Sequence, residues 1–131
     1  MTKQMRQKRG GCMKIAVVGS RGVTLLNLQK YLPTGITELI SGGAKGVDTC
    51  VKQYADEHGI PLKEFLPDYR RYGKGAPLKR NELIVAAADM VLAFWDGTSK
   101  GTAHVIDLCD KLQKPVNVYL ITKHGMSVSG G

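Results

Sequence analysis

Met90-Val91-Leu92-Ala93-Phe94-Trp95-Asp96-Gly97-Thr98-Ser99-Lys100-Gly101-Thr102 is the stretch that decides how this chain folds. Its first six residues form a continuous apolar run, the composition of a central parallel strand covered on both faces. A glycine-rich turn follows at once, and then a segment of helical character from about Gly101 to Leu112. Strand, tight turn and helix is the repeating unit of a parallel α/β sheet, because parallel neighbours need a crossover between them.

Working outward, the same unit recurs. Lys14 to Val18 is a short β-rich run closed by Gly19-Ser20-Arg21-Gly22, and Leu25, Leu28 and Leu32 fall at helical spacing, which predicts a helix over Thr24 to Leu32. Glu38 to Ile40 is the next strand, and Ser41-Gly42-Gly43-Ala44-Lys45-Gly46 is its turn. A helix over Val47 to His58 places Val47, Cys50, Val51, Tyr54 and Ala55 on one face, with Gly59 where a C-cap is wanted. Pro61 opens a third strand, Leu62 to Leu66. A helix from about Ala76 to Ala88 precedes the central run, and Val116 to Ile121 closes the series. The expectation is an α/β fold, a Rossmann-like doubly wound parallel sheet of about five strands with helices on both faces. A single domain over residues 14–122 is expected between disordered tails at 1–13 and 123–131, the frayed end beginning near Gly125.

Composition narrows the function classes. The 131 residues suffice for one domain with a real core. No apolar run approaches the roughly 18 residues of a membrane span, and the N-terminus lacks the apolar stretch of a secretion signal, so a cytoplasmic protein without membrane contact is expected. Cys12, Cys50 and Cys109 are odd in number and widely spaced, and His58, His104 and His124 are scattered; neither a disulfide frame nor a metal site is implied, and no cofactor is expected. The formal charge of +8 is concentrated in the tail, where Lys3, Arg6, Lys8, Arg9 and Lys14 have no acid among them. Such an arm is either a solvated terminus or a nucleic-acid contact, and the first reading is favoured.

Ligands of open parallel sheets bind outside the carboxyl ends of the strands, where the strand order reverses, and all three glycine-rich turns lie at such ends. Glycines there serve tight chain reversal in any case. The residues between them add a second reading. Arg21, Lys45 and Lys100, with Ser20, Ser41, Thr98, Ser99 and Thr102, suit phosphate oxygens, and backbone amides at a helix start can approach an anion closely. The candidate ligand-binding set is therefore Gly19, Ser20, Arg21, Ser41, Gly42, Gly43, Lys45, Gly46, Asp48, Arg80, Asn81, Trp95, Asp96, Gly97, Thr98, Ser99, Lys100, Gly101 and Thr102. None of the turns is a Gly-x-Gly-x-x-Gly or a Gly-x-x-x-x-Gly-Lys-Ser/Thr, which argues against a dehydrogenase or a P-loop ATPase. The connection after the third strand carries Tyr69, Arg70, Arg71 and Lys74, either a solvated basic loop or a lid over an anionic ligand.

Val17-Val18-Gly19-Ser20-Arg21, Ser41-Gly42-Gly43-Ala44-Lys45-Gly46-Val47-Asp48, Pro67-Asp68, Gly73-Lys74, Arg80-Asn81 and the Phe94 to Thr102 block resemble the YspA-like branch of the SLOG superfamily. The resemblance covers about Lys14 to Ile121. It implies a Rossmann-like domain that binds a nucleotide or a nucleotide-derived molecule, often as a homodimer or higher homo-oligomer. The superfamily also holds the LOG phosphoribohydrolases, related to proteins once called lysine decarboxylases, and the DNA-processing protein DprA. The LOG pattern Pro-Gly-Gly-x-Gly-Thr-x-x-Glu is only partly matched: Gly101-Thr102 fits and Arg80 stands where an arginine is wanted, but the glutamate position is Val105. Hydrolysis would then need Asp48 or Asp96; Asp48 has a plainer alternative in offsetting the helix dipole and bonding free amides at a helix start, whereas Asp96, after the central strand, is expected to point at the rim. Trp95 either flanks a base or packs under a helix, and His104 either contacts a phosphate or is solvated. Three functions follow in order: a nucleotide-ligand binding module, a LOG-like hydrolase, and a DprA-like binder of single-stranded DNA.

Overall fold

The computed structural model describes residues 13–20, 27–42, 46–122 and 125–128, with side chains through residue 121. Strand β1 (Lys14–Gly19) buries its four inner residues, and β2 (Glu38–Ser41) runs parallel to it with Ile15 opposite Leu39. Helix α1 (Val47–His58) leads to β3 (Leu62–Glu64), a short helix α2 (Tyr69–Tyr72) and helix α3 (Ala76–Ala87). Then come β4 (Met90–Trp95), α4 (Lys100–Lys111), β5 (Val116–Thr122) and β6 (Gly125–Val128). The sheet order is β3-β2-β1-β4-β5-β6. The first five strands are parallel, the Rossmann-like arrangement the sequence predicts, and β6 adds an antiparallel edge.

Alternation along the strands builds two cores. Ile15, Val17, Leu39, Leu92 and Phe94 face Val47, Val51 and Ala55 of α1, while Ala16, Val18, Ile40, Val91 and Ala93 face Ile84 and Val85 of α3 and Val105 and Cys109 of α4. Small Ala16 and Ala93 sit on the side where two helices share the sheet. Burying a side chain of Val, Leu, Ile or Phe size contributes about 1.5–3 kcal/mol, so these inward rows supply most of the stabilisation and fix the register. On the α1 side Tyr31 meets Phe94 edge-on at 5.3 Å, and Phe94 stacks on Tyr119 at 5.0 Å.

Helix α1 ends as its sequence predicts, with Gly59 left-handed at φ 63° and its amide bonded back to Asp56. Three expectations change. The helix over Thr24 to Leu32 is described only as a 3-10 turn at Leu28–Lys30, residues 21–26 lying outside the described set, and Pro33 prevents its continuation. Strand β3 stops at Glu64 instead of Leu66, since Pro67 pulls the preceding residue away from regular pairing and Leu66 turns outward, 63% exposed. Gly125–Val128, expected in a frayed tail, pairs with the free edge of β5, with Ile121 opposite Met126. Residues 1–12, 123–124 and 129–131 of the expected tails are outside the described residues.

Candidate functional site

Strand order reverses between β1, which continues to β2 on one side, and β4 on the other. A cleft of about 630 Å³ opens there at the carboxyl ends, a volume in the usual range for small-molecule sites. Gly19 and Ser20 reach it from the end of β1, Ser41 and Gly42 from β2, and Ser99, Lys100, Gly101 and Thr102 from the start of α4. Asp48 on α1, Tyr69 on α2, and Arg80 and Asn81 on α3 complete the polar lining. Leu66, Pro67, Pro77, Ile84 and Val105 form an apolar wall.

The polar content of the interior is gathered in this one place. Ser20, Ser41, Asn81 and Thr102 are the buried polar side chains among the described residues, and all four line the cleft. Burying hydroxyl and amide groups costs free energy unless each is bonded, so their concentration at one rim marks where the fold is organised around something other than packing. Ser41 donates to Asp48 Oδ1 at 2.5 Å, and the Ser20 hydroxyl accepts from the Asp96 amide at 3.1 Å. Gly19 is required by close approach: a Cβ there would lie 2.3 Å from Val47 Cγ2, so any side chain would push α1 off β1.

Two cations among the described residues line the cleft, exposed Lys100 and half-buried Arg80, and Arg80 is the one held by the protein. Its Nη1 donates to the Gly42 carbonyl and its Nε to Asn81 Oδ1 at 2.9 Å, and no carboxylate pairs with it among the described residues. Burial pushes its pKa below the ordinary value, with the Tyr69 hydroxyl opposing. A guanidinium remains charged regardless, so the desolvated charge raises the gain from an incoming anion. Helix α4 starts with no side-chain cap bond at Ser99, and the first three residues of its uncapped end, Lys100, Gly101 and Thr102, line the cleft.

Asp48 is the carboxylate among the described lining residues. It has a partner that the sequence reading missed. Glu64, at the end of β3, has its pKa raised by burial first and then by a hydrogen bond and like charge with Asp48, while Lys52 at 3.7 Å opposes the shift. Only the pairing of β2 with β3 brings Glu64 there, so residue spacing held no signal for it.

Other expected site residues lie elsewhere. Asp96 folds back on its own loop, accepting from the Ser99 amide at 2.7 Å and the Thr98 amide at 2.9 Å. Those bonds, Ser99's first, lower its pKa from 3.8 to about 2. Asp96, Gly97 and Thr98 form this self-contained turn outside the cleft lining, and Trp95 braces it by donating Nε1 to the Ser99 carbonyl at 3.0 Å. Gly46 is the N-cap of α1 at φ 86°, also off the lining. Arg21, Gly43 and Lys45 are outside the described residues. Of the lid group, Tyr69 reaches the cleft, whereas Arg70, Arg71 and Lys74 are exposed and do not line it. The segment is a short helix and not an open loop, because Asp68 caps it by accepting from the Arg71 amide at 3.2 Å.

A second hollow, about 660 Å³, lies between α4 and the start of β5. It sits at the amino end of that strand, away from the turns, and its one lysine, Lys114, is bonded to the Ala88 carbonyl. The strand-end cleft is therefore the functional candidate.

Residues 13–72, just under half of the chain, match the family model described as the YspA, cpYpsA-related SLOG family. This stretch belongs to the YspA-like branch of the SLOG superfamily. The SLOG match runs from β1 through α2, and therefore contains the β1 and β2 ends of the cleft and Tyr69. Arg80, Asn81 and the start of α4 lie beyond it. No curated protein and no solved structure gives a significant match. No helix among the described residues is long and apolar enough to cross a membrane.

Proposed function

We propose that this SLOG domain binds a nucleotide or a nucleotide-derived phosphorylated ligand in the strand-end cleft. The observation that carries the reading is the convergence of every described buried polar side chain on a cleft whose half-buried arginine, Arg80, has no described carboxylate partner. A phosphate suits Arg80 and the uncapped first turn of α4, and the apolar wall with Tyr69 suits a base. A cytoplasmic setting and a homodimer of such domains belong to the same proposal. Calorimetric and thermal-shift titration with AMP, ADP-ribose, NAD and cyclic dinucleotides tests it. Saturable binding of at least one is expected, and no response to any phosphorylated nucleoside would overturn the reading.

LOG-type cleavage of the bond between base and ribose is the weaker alternative. Val105, 2% exposed, lines the cleft where that chemistry needs a glutamate, and it offers neither a proton nor a negative charge. Asp48 is the one described carboxylate left at the lining to supply it. Free base released from nucleoside monophosphates would revive this reading. Single-stranded DNA binding remains a third proposal, tested by whether affinity at low salt survives removal of residues 1–12.

A further inference from the structure

We infer that Asn81 and His104 are positioning residues that fix how Arg80 meets its anion. The inference rests on the reading of the cleft as a phosphate site, but its geometry stands in the protein alone. Arginine has donors and no acceptor, so the atom of Asn81 that faces Arg80 Nε at 2.9 Å must be the carbonyl oxygen Oδ1. That fixes the amide, and its NH₂ group faces His104 Nδ1 at 3.0 Å. Nδ1 must then be the accepting nitrogen, and the ring proton sits on Nε2. A directed chain results: His104 orients Asn81, Asn81 orients Arg80, and Arg80 reaches on to the Gly42 carbonyl.

The placement of these groups gives the chain its purpose. Asn81 is 5% exposed, so its amide has little water to fall back on if either partner is lost. His104 is the fifth residue of α4 and does not line the cleft, whereas Arg80 and Asn81 do. The chain therefore joins α3 to α4 behind the lining. It uses two of the five guanidinium N–H donors on protein acceptors and leaves the others for a ligand. A long side chain with many rotamers is held in one orientation before the anion arrives, the arrangement by which preorganisation raises affinity.

The test compares His104→Leu, which removes the acceptor, with His104→Gln, which restores one, together with Asn81→Ala and Arg80→Met. In the ligand-free protein, the Arg80 Nε–H signal by ¹⁵N NMR should exchange slowly in wild type and in H104Q, and faster in H104L. Unchanged exchange in a folded H104L would overturn the inference without reference to any ligand. In titrations with AMP, H104L and N81A should each weaken binding by about fivefold or more, H104L while leaving adenosine unaffected, and H104L should add nothing in the R80M background. An equal loss in both backgrounds, or for both ligands, would show a merely structural role. If wild type binds neither AMP nor any other phosphorylated nucleoside, the proposed phosphate site fails, and the exchange experiment still decides whether the chain of bonds orients Arg80.

Discussion

The two halves of the Asp96 to Thr102 block look alike in sequence, both small, polar and glycine-bearing, yet the fold uses them in opposite ways. Asp96, Gly97 and Thr98 close on themselves: the aspartate takes the amides of Thr98 and Ser99 and both of their hydroxyls lie within 3.2 Å of it. Lys100, Gly101 and Thr102, which begin α4 after Ser99, line the cleft with no side-chain cap. A glycine-rich turn after a strand is thus not a ligand site by composition. What decides is whether its donors are already taken, and a single aspartate at the head of the loop takes them in the first half.

The contrast can be broken most sharply at its electrostatic end. Arg80→Met should weaken binding of a phosphorylated nucleoside by about ten- to hundredfold, the range for a hydrogen bond to a charged group, whereas Asp96→Asn should leave affinity within about twofold. Calorimetry on the two variants checks this, and equal losses would erase the distinction between the cleft lining and the closed turn. Next in size is a pair of hydroxyl deletions. Thr102→Val, at the buried threonine of the cleft-lining half, should cost about two- to tenfold in affinity, and Thr98→Val should cost none.

The glycines sharpen the same comparison through stability. Gly97 has φ +87°, so Gly97→Ala should destabilise by about 1–2 kcal/mol, although nothing lies within 4 Å of the added methyl. Gly101 is in the first turn of α4 with equally open surroundings, and Gly101→Ala should stabilise by roughly 0.5–1 kcal/mol. Urea denaturation of both variants reads the difference in sign. The smallest effect is the acid response of the closed half. Because the Asp96 pKa falls from 3.8 to about 2 in the folded loop, its contribution is complete above the ordinary value and is lost as pH falls through about 2. The Thr98 and Ser99 amide resonances should titrate together near the lower value, and a midpoint at the ordinary value would show that the closed turn does not form.

Much of the fold was legible because its signals are local. The run Met90–Trp95 reads as a buried strand and is one, and α1 is bounded by Gly46 and Gly59 at the ends where a helix starts and stops. The described strand-end residues Gly19, Ser20, Ser41, Gly42 and 99–102 share one cleft, as parallel topology puts such ends at one edge, but Gly46, Asp96, Gly97 and Thr98 do not line it. What escaped depends on partners distant in sequence. Glu64 reaches Asp48 through strand pairing, and His104 reaches Asn81 across 23 positions through packing of α3 on α4. Strand β6 escaped because Gly125–Val128 carries little apolar alternation and is defined by the edge of β5 that it covers. Asp96 was misjudged for a related reason: its place at the end of β4 shows it near the rim, but not that its oxygens turn back into the loop.

The most direct test of the cleft as the binding site is backbone amide chemical-shift mapping by NMR during titration with AMP. Saturable shifts concentrated at Ser20, Ser41, Asn81 and Gly101–Thr102, with Gly97 and Thr98 scarcely moved, are the predicted result. Shifts confined to the hollow around Gln113 and Val116 would contradict it, as would their absence with AMP and with every other phosphorylated nucleoside.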